Sequence, residues 1–173
     1  MSSVERKLAA ALIGLFAIGF VVSGCGDFDN PSSATNGVEN IRLFRDNRAT
    51  LGPAYVEKII KAKDGGTLAL NRYTIVIPPE ALDCDTKISI AEPMRGYVLG
   101  NFQPDGIHFN KPVELSMTYR FLDLGGTAED RLTIYWFNPE TGTWFDLLAR
   151  VDKETQTVTL EVDHYSRYAL SDH

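Results

Sequence analysis

From Tyr55 onward apolar residues recur at every second position, and no long window repeats at the helical interval. Ile75 and Ile77 alternate with Thr74 and Val76, and Ile88 and Ile90 with Lys87 and Ser89. Val113, Leu115, Met117, Tyr119 and Phe121 alternate with Glu114, Ser116, Thr118 and Arg120. Leu132, Ile134 and Trp136 follow the same rule, as do Val158, Leu160 and Val162. Successive side chains on a strand point to opposite faces, so each run predicts one buried and one solvated face. Turn signals separate the runs: Asp64-Gly65-Gly66, Pro78-Pro79, Asp105-Gly106, Gly125-Gly126, Asn138-Pro139-Glu140-Thr141-Gly142 and Asp152-Lys153-Glu154. Short strands at this spacing predict an all-β sandwich or barrel. Two details are readable further. Tyr135-Trp136-Phe137 and Thr143-Trp144-Phe145 flank a loop ending in Gly142, which predicts a hairpin closed by a left-handed glycine with facing aromatics. Pro78-Pro79 predicts an abrupt strand end, because prolines cannot donate ladder hydrogen bonds.

The first 54 residues follow no such rule. Arg6 and Lys7 precede an uncharged apolar run over 8–22, which closes on Val22-Ser23-Gly24-Cys25. A spanning helix needs about 20 apolar residues, so this run is short for a stable span. The arrangement resembles the lipobox of a bacterial lipoprotein signal peptide, with small residues at the cleavage site. The resemblance implies that 1–24 are removed as a signal peptide and that Cys25 carries the lipid, palmitate-type acyl chains included. Several chains hold a protein firmly, at about 0.8 kcal/mol per buried methylene. The implied location is the bacterial cell envelope, membrane-anchored through Cys25. Gly26 stands where the family's inner-membrane retention signal has Asp, which favours the outer membrane where one exists. Residues 25–54 are polar and rich in Asn, Asp, Ser and Gly, and they read as a lipidated flexible tether. Their one apolar patch, 41–44, is expected to dock on the domain or on a partner. Residues 55–173 form the expected sandwich domain, of a size that buries about two-thirds of its unfolded surface.

Charge and cysteine usage narrow the partners. The chain has 17 basic and 23 acidic residues, and removal of Arg6, Lys7 and Glu5 leaves it slightly more acidic. An acidic surface argues against nucleic acid and anionic headgroups as electrostatic partners. Only Cys25 and Cys84 exist. With Cys25 lipidated, the fold needs no disulfide. Asp83 and Asp85 beside Cys84 disfavour its thiolate and a nucleophilic role.

The ordered motifs carry a second resemblance. Gly65-Gly66-Thr67-Leu68, then Ile77-Pro78-Pro79-Glu80-Ala81-Leu82, then Asp105-Gly106-Ile107-His108-Phe109-Asn110-Lys111-Pro112 stand in sequence. The hairpin with Asn138, Gly142 and Trp144 follows, and His164-Tyr165-Ser166-Arg167-Tyr168-Ala169-Leu170 closes the set. Together, over about 56–171, they resemble the zona-occludens/Unc-five (ZU-five) domain. That resemblance implies a β-sandwich of antiparallel strands and a non-enzymatic interaction module. In animal proteins such domains bind cytoskeletal or signalling partners, which a bacterial envelope lacks, so partner identity does not carry over. Phe109 is expected in the core and His108 outside it.

Candidate chemistry is sparse. Asp163, His164 and Ser166 invite a triad reading, but strand alternation puts 163 on the face opposite 164 and 166, and no nucleophile elbow surrounds them. His108, His164 and His173 lie far apart and lack ligand spacing, and the acidic pairs Asp83/Asp85 and Asp27/Asp29 lack a calcium loop. No catalytic residue, metal or cofactor is therefore expected. Tyr135, Phe137 and Trp144 form the candidate binding surface, since exposed aromatic faces stack on apolar ligand patches. The competing reading puts them in or over the core. The expected partners are membrane lipid through Cys25 and an unknown protein or a second copy of the chain. A glycan is the alternative.

Overall fold

The period-two pattern becomes two facing antiparallel sheets. The computed structural model describes residues 37–48 and 52–173; the apolar leader and Cys25 lie outside them. The strands are β1 (Arg45–Asp46), β2 (Tyr55–Ile60), β3 (Gly66–Leu70), β4 (Tyr73–Ile77), β5 (Thr86–Ala91), β6 (Leu99–Gln103) and β7 (His108–Thr118). They continue with β8 (Leu122–Asp123), β9 (Leu132–Asn138), β10 (Thr143–Asp146), β11 (Arg150–Asp152), β12 (Thr157–His164) and β13 (Arg167–Asp172). A six-stranded sheet has the order β10-β9-β13-β6-β5-β2, and a five-stranded sheet the order β11-β12-β7-β4-β3. β1 and β8 form a separate two-stranded ribbon. This is an all-β sandwich. Among the described residues no helix is long and apolar enough to cross a membrane.

The inward rows contain most of the predicted residues and add Tyr73, Phe102, Tyr168 and Leu170. Tyr73, Ile75, Ile77, Val113, Leu115, Met117 and Val158 come from one sheet; Ile88, Ile90, Phe102, Ile134, Tyr168 and Leu170 come from the other; all are at most 2% exposed. Aromatic rings tie the layers together. Tyr73 of the five-stranded sheet meets Phe102 of the six-stranded sheet edge-on at 5.8 Å, and Phe102 meets Tyr168 at 5.6 Å. Such edge-to-face pairs add about 0.5–1.5 kcal/mol beyond their buried area. Gly100 makes room for them, because a Cβ there would lie 2.8 Å from the Phe102 ring. Gly65 turns the β2–β3 connection with φ +66, and a Cβ would stand 2.3 Å from the Ile77 carbonyl oxygen. β4 ends at Ile77, just before Pro78-Pro79.

One alternating run stops early. The sequence pattern extends to Phe121, but β7 ends at Thr118. Tyr119 is still buried, whereas Phe121 is 51% exposed. The backbone turns here, with Leu122 N–H donating to the Tyr119 carbonyl at 3.0 Å. A turn breaks the two-residue period, so Phe121 swings outward under the Arg48 guanidinium, 5.9 Å from its ring centroid.

Part of the stretch expected as tether lies on the sandwich. Val38 exchanges both backbone hydrogen bonds with Trp144, at 2.8 and 2.7 Å, extending the β10 edge. The Ser171 hydroxyl donates to the Arg42 carbonyl at 2.7 Å, and Val98 N–H to the Phe44 carbonyl at 3.2 Å. Phe44, in the apolar patch 41–44, is 1% exposed and belongs to the core. Next to it Asp46 is buried and paired with the buried Arg72 and with Arg48, whose Nε donates at 2.9 Å. Two guanidinium groups satisfy the lone pairs that burial removes from water. Asp46→Ala leaves Arg72 buried and short of its partner, a change that typically costs about 3–5 kcal/mol. Urea unfolding of this variant should show that loss, and residues 37–48 should become accessible to proteases.

Candidate functional site

Three connections meet at one end of the sandwich: 104–107 between β6 and β7, 139–142 between β9 and β10, and 165–166 between β12 and β13. They enclose a cleft of about 280 Å³ lined by Asp105, His108, Trp136, Glu140, His164 and Tyr165, among others. A smaller hollow, with Asn101, Gln103, Phe137 and Arg167, shares Asp105, Pro139 and Ser166 with it.

Each wall has a local cause. Asn138 accepts the Glu140 N–H at 2.9 Å through its side chain, and Gly142 N–H donates to the Asn138 carbonyl at 2.9 Å. Gly142 has φ +68, the left-handed closure expected for this hairpin. Gly106 N–H donates to the Tyr165 carbonyl at 2.9 Å and Tyr165 N–H to the Ile107 carbonyl at 3.1 Å, locking two of the three connections together. His108 is exposed, as the sequence suggests, whereas Phe109 is only half-buried, packed against the core edge-on to Tyr165 at 4.6 Å.

The histidines depart from the sequence reading. His108 opens β7 and His164 closes β12, and the two are register partners with ring centroids 6.0 Å apart. Sequence distance hid this, because 55 intervening positions fold into strands that begin and end at the same rim. The signal available was one of topology: each histidine sits at a turn-facing end of an alternating run. Asp163 also lies elsewhere than strict alternation requires. The register shifts between Val162 and His164, a bulge that brings the Asp163 carboxylate to His164 Nδ1 at 2.7 Å. A bulge leaves one residue unpaired and re-aims side chains. Asp163 therefore does orient His164, contrary to the face argument made from sequence.

A carboxylate only accepts, so Nδ1 carries the hydrogen and Nε2 of the neutral ring is the acceptor. His164 Nε2 has no hydrogen-bond partner within the protein. Ser166 lines the same cleft but does not bond that nitrogen. Trp136 meets the His164 ring edge-on at 5.2 Å. Among the described residues no three His, Cys, Asp or Glu side chains gather as metal ligands. Cys84 is exposed with its sulfur 3.9 Å from the Thr86 hydroxyl.

The expected aromatic surface is divided. Tyr135 is 7% exposed, and with Ala169 and Leu99 it forms a covered row on the outward face of the six-stranded sheet. Phe137 and Trp144 are half-buried cross-strand partners, 5.0 Å between centroids, with Arg167 over the Phe137 ring at 5.2 Å. They make a small Arg–Phe–Trp stack beside the cleft, not a three-ring face.

No family model and no curated protein sequence matches the chain.

Burial raises the pKa of Tyr73, Tyr165 and Tyr168 far above the ordinary phenol value. Above about pH 10 the unfolded chain releases these protons while the folded one keeps them. The tyrosine contribution to stability is therefore complete below about pH 10 and is lost as pH rises toward the folded values. The expected slope is about 1.4 kcal/mol per pH unit for each such tyrosine. Urea titrations should give constant stability from neutral pH to about pH 9.5 and a steep loss above it. Tyr165→Phe should reduce the slope.

Proposed function

We propose that the chain is a lipid-anchored protein of a bacterial cell envelope, whose sandwich is a non-catalytic module binding a protein partner or a second copy of itself. The observation that carries the binding reading is the open edge of β2. Within its sheet β2 is bonded to β5 alone, and it displays Tyr55 at 51% and Ile59 at 61% exposure. An unpaired strand edge with apolar side chains is a template for an added strand. The lipobox-like Val22-Ser23-Gly24-Cys25 supports the anchor, and the ordered ZU-five-like motifs support an interaction module. A second reading, a carbohydrate-binding module, is favoured by the aromatic-walled cleft beside Trp136.

Two measurements test this. Cys25→Ser should abolish incorporation of an alkyne-labelled fatty acid and stop processing of the leader; unchanged labelling overturns the anchor. A photo-crosslinking residue at position 59 should yield one dominant adduct in the intact envelope, either with a single partner or with the chain itself. The same residue at the exposed Lys153 serves as control. Equal adducts at both positions overturn the β2 edge as the contact.

A further inference from the structure

Among the described residues, six buried side-chain polar atoms have no hydrogen-bond partner within the protein. Three of them belong to side chains lining the one cleft: Trp136 Nε1, His164 Nε2 and Tyr165 Oη. Buried polar groups in folded proteins are nearly always paired, so such a concentration calls for an explanation. Their chemistry is mixed. The indole and phenol donate; His164 Nε2, with Nδ1 held by Asp163 at 2.7 Å, accepts in the neutral ring. On the rim stand the exposed carboxylates of Asp105 and Glu140, acceptors only.

We propose that this cleft is a binding site for a neutral sugar residue of a glycan. The hydroxyl is the group that both donates and accepts, and it matches a set of donors and acceptors lying just beneath the cleft surface. The two rim carboxylates and the acidic chain disfavour phosphate or carboxylate ligands. His108 and Trp136 line the cleft with aromatic rings, the kind of side chain against which a pyranose face can rest. The volume, about 280 Å³, lies just below the usual range for ligand sites and suits a single sugar ring. The inner polar atoms are shielded, so binding includes a small rotation of the His164 or Trp136 ring. The site rests on the carbohydrate reading above but lies apart from Phe137 and Trp144, on the inner side of the hairpin.

The two tryptophans allow a direct test. The full-length protein in detergent, labelled with nitrogen-15, gives one indole N–H signal each from Trp136 and Trp144. It is titrated with the neutral trisaccharides of N-acetylglucosamine, cellulose and starch, with lysine amide as a cation and glucose 6-phosphate as an anion. The expected result is a saturable shift of the Trp136 signal with at least one trisaccharide at or below about 10 mM, and none with the charged probes. Asp105→Asn combined with Glu140→Gln should weaken that binding at least about tenfold; an unmoved Trp144 signal reports an intact fold. If only Trp144 shifts, the cleft proposal falls while a carbohydrate site on the outer stack survives. If neither indole responds to any sugar, the cleft and the carbohydrate reading fall together. A shift with lysine amide alone, or affinity unchanged in the double variant, also overturns the proposal.

Discussion

Contact between Tyr73 and Phe102 across the two sheets sets the rest of the molecule in place. Both rings are wholly buried, and Phe102 also packs on Tyr165 at 6.0 Å and on Tyr168. Tyr165 continues the cluster to Phe109, and its own ring forms part of the cleft wall. The core and the candidate site are therefore one packed body. The cleft walls are held by rings anchored in the sandwich, not by long loops. Preorganisation of this kind lowers the ordering cost of binding.

The segment 37–48 gives the sandwich an end-to-end strap. It joins the β10 edge at Val38, crosses near Ser171, buries Phe44 and fastens at Asp46. Gly37 lies against Phe145, where a Cβ would approach the ring to 2.9 Å. The hairpin carrying Trp136 and Trp144 lies at one side of the six-stranded sheet and the β2 edge at the other. The strap also covers the β10 edge, so β2 is left as the open edge of the six-stranded sheet.

Much of the fold was legible because burial in a sandwich is a local, alternating property. The Ile75/Ile77, Ile88/Ile90 and Leu132/Ile134/Trp136 rows needed only their own neighbours to be assigned. Gly142 and Pro78-Pro79 were readable because backbone conformation at these residues is intrinsic. The pattern misled at Phe121, where a turn follows a strand without any Gly or Pro to mark it. It also gave no hint that Asp46 would be buried, since a carboxylate enters a core only when a distant Arg72 comes with it.

The site was less legible for the same physical reason. The individual strand periods, the turn glycines and the acidic surface were determined by the order of residues alone, because each depends on side-chain chemistry within a few positions. The pairing of His108 with His164, the bulge that turns Asp163 toward its neighbour, and the covering of Tyr135 were decided only in three dimensions. Each depends on register between strands far apart in the chain, and register is settled by the packing of the whole core.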